Sequence, residues 1–306
     1  MPHVMEYNGE NIVIPRMTEI VATTECEARA YLHPVNTGAT SWHTMSNAVA
    51  LAGTIGHHRI ENYIRKQMGL SKLELKLDKP DLKLFNDIML NKEGKEWLEE
   101  YLKTAFNNYL EWHHDFQPTY LVPEITMTFV KTNDDGDVLA NECVKGTVDL
   151  ICELDPAKMS DRAKKIVALE EPSTIMLDWK TGMAKLSSHH AQLDGYDWLL
   201  DVSGKRIEIE ADTVTKPWAK IDDTPVALCV RLGGSFGYMA DAYLLDKTKF
   251  KAARDLFMKP NYIAKTRNEK YGDRVFREGY HCVFCTYRDN GCPIFSVQMV
   301  TLEELI

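Results

Sequence analysis

The sequence predicts an α/β fold with a helical lobe ahead of its core. Three observations carry this expectation. Helical spacing dominates up to residue 115. Strand-length runs rich in Val, Ile, Thr and Leu then fill 120–131, 142–154 and 173–180. A helix, a second hairpin and another helix follow them, an order that suits a sheet covered by helices. Taken in order, residues 18–32 read as a helix with Thr18 as its N-cap and Pro34 beyond its end. Residues 47–68 read as a second helix. Residues 69–115 are charged and mostly helical, broken at Gly69, Pro80 and Gly94, and read as a helical insertion. Asn133-Asp134-Asp135-Gly136 marks a hairpin between the first two strands. Helical spacing returns at 188–201, strands at 225–232 and 237–245 turn around Gly233-Gly234, and 247–258 is a helix. The chain divides into an N-terminal helical region (1–118, including the insertion 69–115), a core (119–260), and a basic loop with a cysteine-rich tail (261–306).

Composition narrows the class. Of 306 residues 44% are hydrophobic and 26% charged, which argues against a wholly disordered chain. A net charge of −9 argues against a uniformly basic surface but leaves room for a local basic groove. The longest uncharged run, 30–56, is full of Thr, Ser, Asn and Gly, so no membrane span is expected. Residues 1–10 have neither a basic start nor an apolar core, so no signal peptide is expected and the predicted location is cytoplasmic. Seven cysteines without a secretion signal point away from disulfides and toward metal or cluster ligation.

Two acidic residues sit in apolar, strand-like runs: Asp149 in Gly146-Thr147-Val148-Asp149-Leu150-Ile151, and Asp178 in Leu177-Asp178-Trp179-Lys180-Thr181-Gly182. A buried carboxylate needs a partner. Strand alternation puts Asp178 and Lys180 on one face. It puts Val144, Gly146, Val148, Leu150 and Cys152 on one face of the earlier run and Asp149 on the other. Two carboxylates from neighbouring strands can hold a divalent cation through hard oxygen ligands, and a lysine beside them can orient or deprotonate a water. A surface ion pair between strands is the competing reading. Upstream, Gly53-Thr54-Ile55-Gly56-His57-His58-Arg59-Ile60-Glu61 sets His57 and Glu61 on one helical face, with glycines that permit a close backbone approach. Downstream, Gln192 and Tyr196 form a second i, i+4 pair.

The ordered set G-x-x-x-H-x-x-x-E, G-x-x-D, D-x-K-T-G and Q-x-x-x-Y resembles the RecB-like branch of the PD-(D/E)XK nucleases. Ile14-Pro15-Arg16-Met17-Thr18-Glu19-Ile20 is similar to the opening of several phage and mitochondrial members, with Arg16-Met17 where Ser-Val is usual. The superfamily proline is replaced by Val148, as is normal in this branch. The resemblance implies a restriction-endonuclease-like core: a mixed central sheet flanked by helices. It implies that His57, Asp149, Asp178 and the Trp179 carbonyl ligate Mg²⁺ or Mn²⁺. Lys180 then positions the attacking water, Gln192 and Tyr196 contact the DNA backbone or hold the catalytic strand, and Glu61 supports His57 or the helix packing. The implied activity is a metal-dependent deoxyribonuclease, an exonuclease on single-stranded DNA or DNA ends. The implied setting is recombination, repair or CRISPR-type DNA processing in a prokaryote, or for a phage or virus in its host.

Cys282, Cys285 and Cys292 have a spacing that lets three thiolates converge on one metal centre, one short of a closed site. Cys143, Cys152 and Cys229 lie in apolar runs and read as small buried hydrophobes. The pattern resembles the iron–sulfur subset of RecB-like nucleases, the AddB-like and CRISPR-associated exonucleases. That resemblance implies a [4Fe–4S] cluster held by Cys26, Cys282, Cys285 and Cys292, a structural staple between the chain ends. Zn²⁺ on the same cysteines, with His281 as another fourth ligand, stays open.

Residues 247–277 carry a local charge of +7 with interleaved aromatics, which suits phosphate contacts and base stacking on a single strand; Arg267 and Lys270 are the candidate contacts. A solvated charged face is the alternative. No helicase P-loop occurs, so any unwinding needs a partner protein. Two other functions stay open: a non-catalytic nucleic-acid-binding protein, or a zinc-stapled structural subunit of a nuclease–helicase assembly.

Overall fold

A computed structural model describes residues 3–7, 10–14, 17–21, 44–139, 143–182, 189–202, 219–221 and 224–258. A hairpin of β1 (His3–Tyr7) and β2 (Glu10–Ile14) precedes α1 (Met17–Val21). Then come α2 (Thr44–Gln67), α3 (Lys79–Leu90) and α4 (Lys92–Phe116). The core follows as β3 (Thr119–Phe129), β4 (Val144–Leu154), α5 (Asp161–Ile166), β5 (Ser173–Lys180) and α6 (His190–Val202). It ends with β6 (Lys220–Ile221), β7 (Thr224–Arg231), β8 (Met239–Leu244) and α7 (Lys247–Met258).

The main sheet is mixed. β3, β4 and β5 form an antiparallel meander, β7 joins β5 in parallel, and β8 and the two-residue β6 both pair antiparallel with β7. Helices cover both faces. On one, Ile60 and Ile64 of α2 and Tyr109, Trp112 and Phe116 of α4 pack on Leu150, Cys152, Leu177, Trp179, Leu228 and Val230. On the other, Met17 and Ile20 of α1, Leu193, Tyr196 and Leu199 of α6, and Phe250 of α7 cover Val148, Ile151, Met176, Ala227 and Cys229. β5 and β7 are buried on both faces, as their continuous apolar runs require.

α3 and α4 build the helical lobe. Asn91 ends α3, and its side chain also caps α4 by accepting from the Glu93 and Gly94 amides. α4 buries Leu98, Ala105, Tyr109, Trp112 and Phe116 at three-, four- and seven-residue steps, one apolar stripe facing the sheet. Trp112 and Tyr109 meet Trp179 edge-on, with ring centroids 4.8 and 5.4 Å away. This fixes the residue between Asp178 and Lys180. α3 buries none of its residues.

Several expectations shift. α1 begins at Met17, so Thr18 lies inside it, and of the expected helix 18–32 only the part up to Val21 falls within the described residues. Residues 71–78 are not helical. The alternation of β4 also breaks. Val144 and Val148 face α6 but Leu150 and Cys152 face α4, so the strand rolls over at Asp149. The facing strand β3 is irregular at the same level. Glu124 has φ +47°, left-handed backbone that a non-glycine residue adopts only at a cost of roughly 1–3 kcal/mol, and it faces Asp149 between the paired rungs Pro123↔Leu150 and Ile125↔Val148. Among the described residues no helix is long and apolar enough to cross a membrane.

Candidate active site at the β4–β5 fork

β4 and β5 pair only as far as Leu150↔Leu177, while β5 runs on beside β7 to Lys180↔Arg231. Past Leu150 and Leu177 the two strands part, and the fork between them holds the polar residues. Asp149 spans its base. Its Oδ2 accepts the Trp179 N–H at 2.7 Å, standing in for a ladder carbonyl, and its Oδ1 lies 3.2 Å from His57 Nδ1. Lys180 Nζ lies 2.6 Å from Asp178 Oδ2 and donates to Gln192 Oε1 at 3.2 Å. Gln192 in turn donates to the Tyr196 hydroxyl. Three of the four sequence motifs therefore reach the fork with their polar residues in contact, and His57 arrives from α2 as the fourth.

The glycines of these motifs explain the approach. A Cβ at Gly53 or Gly56 would come within 3.2 Å of the Thr181 side chain. Their bareness lets α2 settle on the end of β5, with His57 next in sequence. A Cβ at Gly146 would come 2.9 Å from the Tyr196 ring and 3.0 Å from Leu199, so the glycine before Asp149 seats the tyrosine behind Gln192.

Burial and charge divide the labour. Burial alone pushes the Asp149 carboxyl up, but His57, Lys180 and the Trp179 amide outweigh it and hold it below the usual carboxylate range. Burial would lower His57, yet the Asp149 carboxylate raises it above an ordinary imidazole. Asp178, 2% exposed, is pushed up to about 6 by burial, with Lys180 opposing and Asp149 adding to the rise. Burial would lower Lys180, but Asp178 and Asp149 keep it raised, so it stays an ammonium.

These contacts correct the metal expectation. Both Asp149 oxygens are engaged by protein groups, one of them by the Trp179 N–H, and Lys180 sits on Asp178. Among the described residues no group of three or more His, Cys, Asp or Glu side chains is placed to hold a metal ion, so the Mg²⁺ or Mn²⁺ ligand set His57, Asp149, Asp178 and Trp179 is not formed. Nor do the described residues bring together a ligand group for the expected [4Fe–4S] cluster or its Zn²⁺ alternative. Cys26, Cys282, Cys285, Cys292 and His281 lie outside the described residues. Of the described cysteines, Cys152 and Cys229 are buried, and the buried Cys143 sulfur accepts from the Lys131 amide at 3.4 Å.

Arg267 and Lys270 also lie outside the described residues. The described start of the basic segment is mostly engaged internally. Lys247 pairs with Asp197 and Asp201, Lys249 with Asp246, and Arg254 stacks over Trp198 at 4.8 Å and Phe129 at 5.5 Å. Lys251 is exposed.

The polar partners of Glu61 are Arg65, at 3.7 Å, and Glu124, which it hydrogen-bonds and which no sequence pattern announced. Burial and then Glu124 push its carboxyl up to about 7. A folded-state value above the unfolded one means that ionising Glu61 costs stability. Stability therefore falls as pH rises from about 4.5 to 7. Glu61→Gln should be more stable than the parent at pH 8 by about 1–3 kcal/mol and indistinguishable from it at pH 4, read from urea melts at both values. A constant difference across that range would contradict the raised Glu61 carboxyl.

No protein-family model matches this sequence, and no curated protein matches it.

Proposed function

We propose that this chain is a nuclease of the RecB-like type, hydrolysing phosphodiester bonds of single-stranded DNA or DNA ends at the β4–β5 fork. The observation that supports it most is the convergence of His57, Asp149, Asp178, Lys180 and Gln192, from four separate elements, on that opening. An unexceptional strand-to-strand ion pair would need only two of them.

Lys180 is the electrophile. It remains charged, Asp178 and Gln192 fix it from two sides, and it offsets negative charge that builds on the phosphate as water attacks. Asp149 holds His57 through Nδ1, which leaves Nε2 to accept the proton of the attacking water. The water oxygen bonds to phosphorus, the bond to the departing sugar oxygen breaks, and that oxygen takes up a proton from the imidazolium or solvent. Because Asp149 raises His57, the acid limb of the rate profile falls above pH 6.5.

The test is digestion of 5′- and 3′-labelled single- and double-stranded DNA by the full chain and by Lys180→Ala. Parallel reactions contain added divalent cation or EDTA. Cleavage by the parent, with a loss of roughly 10²-fold or more in Lys180→Ala and near-parental DNA affinity, is the expected result. A parent that cuts none of these substrates in either condition sinks the proposal.

A further inference from the structure

The fork has a neighbour that the mechanism above does not use. His189 precedes α6 by one residue and lies three positions before Gln192, so the two side chains project from the same side of the chain. Gln192 reaches Lys180. His189 Nε2 is shielded from solvent and has no hydrogen-bond partner among the described residues. The next residue shows that this is not general here. His190 Nε2 lies 2.8 Å from Asp241 Oδ2, and its ring stacks on Tyr243 at 4.0 Å. A buried polar atom without a partner is costly in a folded protein, and one three residues before the glutamine that holds Lys180 points to a ligand that supplies the missing partner.

We propose that His189 is a further substrate-contacting residue of this site, donating a hydrogen bond from Nε2 to a non-bridging oxygen of the scissile phosphate. The inference rests on the nuclease reading and names the group that shares the phosphate with Lys180. The ligand class follows from charge. Asp178 pairs with Lys180 and partly offsets it, but of the charged groups acting on His189 itself Lys180 is the cation, and it favours an anionic acceptor there. The form of the imidazole agrees. Burial, then Lys180, then His190 press it down to about 4, so it is uncharged at neutral pH. An imidazole so poised is a poor proton shuttle, but it donates a hydrogen bond without adding charge to a site that already holds an ammonium. The charged and titratable groups acting on it are Lys180 and His190.

The experiment compares the parent, His189→Ala and His189→Asn on one labelled DNA substrate, and records long-range ¹H–¹⁵N histidine spectra of the full chain with and without inorganic phosphate. Expected are a fall in kcat of about 10²-fold in His189→Ala with KM little changed, and partial recovery in His189→Asn, whose amide can donate. The spectra should show a neutral His189 with its proton on Nε2, staying neutral to about pH 5 and shifting on addition of phosphate. A His189→Ala variant within about twofold of the parent rate overturns the inference, as does an imidazole that titrates near 6.5 and ignores phosphate. Should His189→Ala fail to fold by circular dichroism, His189→Asn and the parent spectra decide. If the parent cuts no DNA, the nuclease reading fails on its own, and the phosphate response still shows whether His189 belongs to an anion site.

Discussion

Asp149→Asn should lose DNA cleavage by roughly 10³–10⁴-fold while keeping the fold, an increase of about 4–5.5 kcal/mol in the barrier. The replacement is nearly isosteric, and its amide oxygen can still accept the Trp179 N–H that Asp149 takes at 2.7 Å. What changes is the other side. An amide NH₂ turned toward His57 Nδ1 donates, so the ring must carry its proton on Nε2, the atom that the proposed mechanism needs bare. Stability moves less and depends on pH. The folded-state carboxyl lies below its ordinary 3.8, so its contribution is present above that value and lost as pH falls through the folded value. Asp149→Asn should therefore melt below the parent at pH 7, and the gap should close only as the pH falls below the ordinary carboxylate value of 3.8. Cleavage above about a tenth of the parental rate would remove Asp149 from the essential set.

How much of this could be read beforehand differs by element, for physical reasons. β5 and α7 fall where the sequence places them, at Ser173–Lys180 and Lys247–Met258. A strand buried on both faces has no choice but to be continuously apolar, and an amphipathic helix of three turns carries its period plainly. The pairing of Asp178 with Lys180 was equally legible, because residues two apart on a strand share a face. The six-residue α5 has too few turns to show a period. Only Ser160, whose side chain accepts the Ala163 amide, marks its start. The β1–β2 hairpin did carry a signal, Asn8-Gly9 between alternating runs, the usual chemistry of a two-residue turn. The roll of β4 at Asp149 has no signature in β4 at all. It coincides across the sheet with Glu124, whose left-handed backbone no propensity would assign to a glutamate. The same limit hid Glu61–Glu124 and His189, whose character depends on what folding brings beside them.

The largest loss of stability from a single added methyl group should come from Gly233→Ala, about 3 kcal/mol or more, with cleavage lost alongside. Leu232 N donates to the Lys180 carbonyl at 2.7 Å, so the turn after β7 is tied to the strand bearing the reactive lysine. The buried Asn108 side chain of α4 clamps that turn, donating to Leu232 O at 2.6 Å and Gly234 O at 2.9 Å. A Cβ on Gly233 would lie 2.7 Å from the Gly182 carbonyl oxygen and closer still to that of Thr181. Both obstacles are backbone atoms directly following Lys180, so no side chain can swing aside. Either the turn leaves Asn108 with unmet amide hydrogens, or the end of β5 moves and carries Lys180 off Asp178. Gly136→Ala is the control. That glycine has φ +89° and nothing within 4 Å of its would-be Cβ, so only backbone strain of about 1 kcal/mol is lost. Urea melts of the two variants separate the effects. If Gly233→Ala is no worse than Gly136→Ala, the turn is not pinned against the lysine strand, and the rigidity assumed for Lys180 has no support from this side.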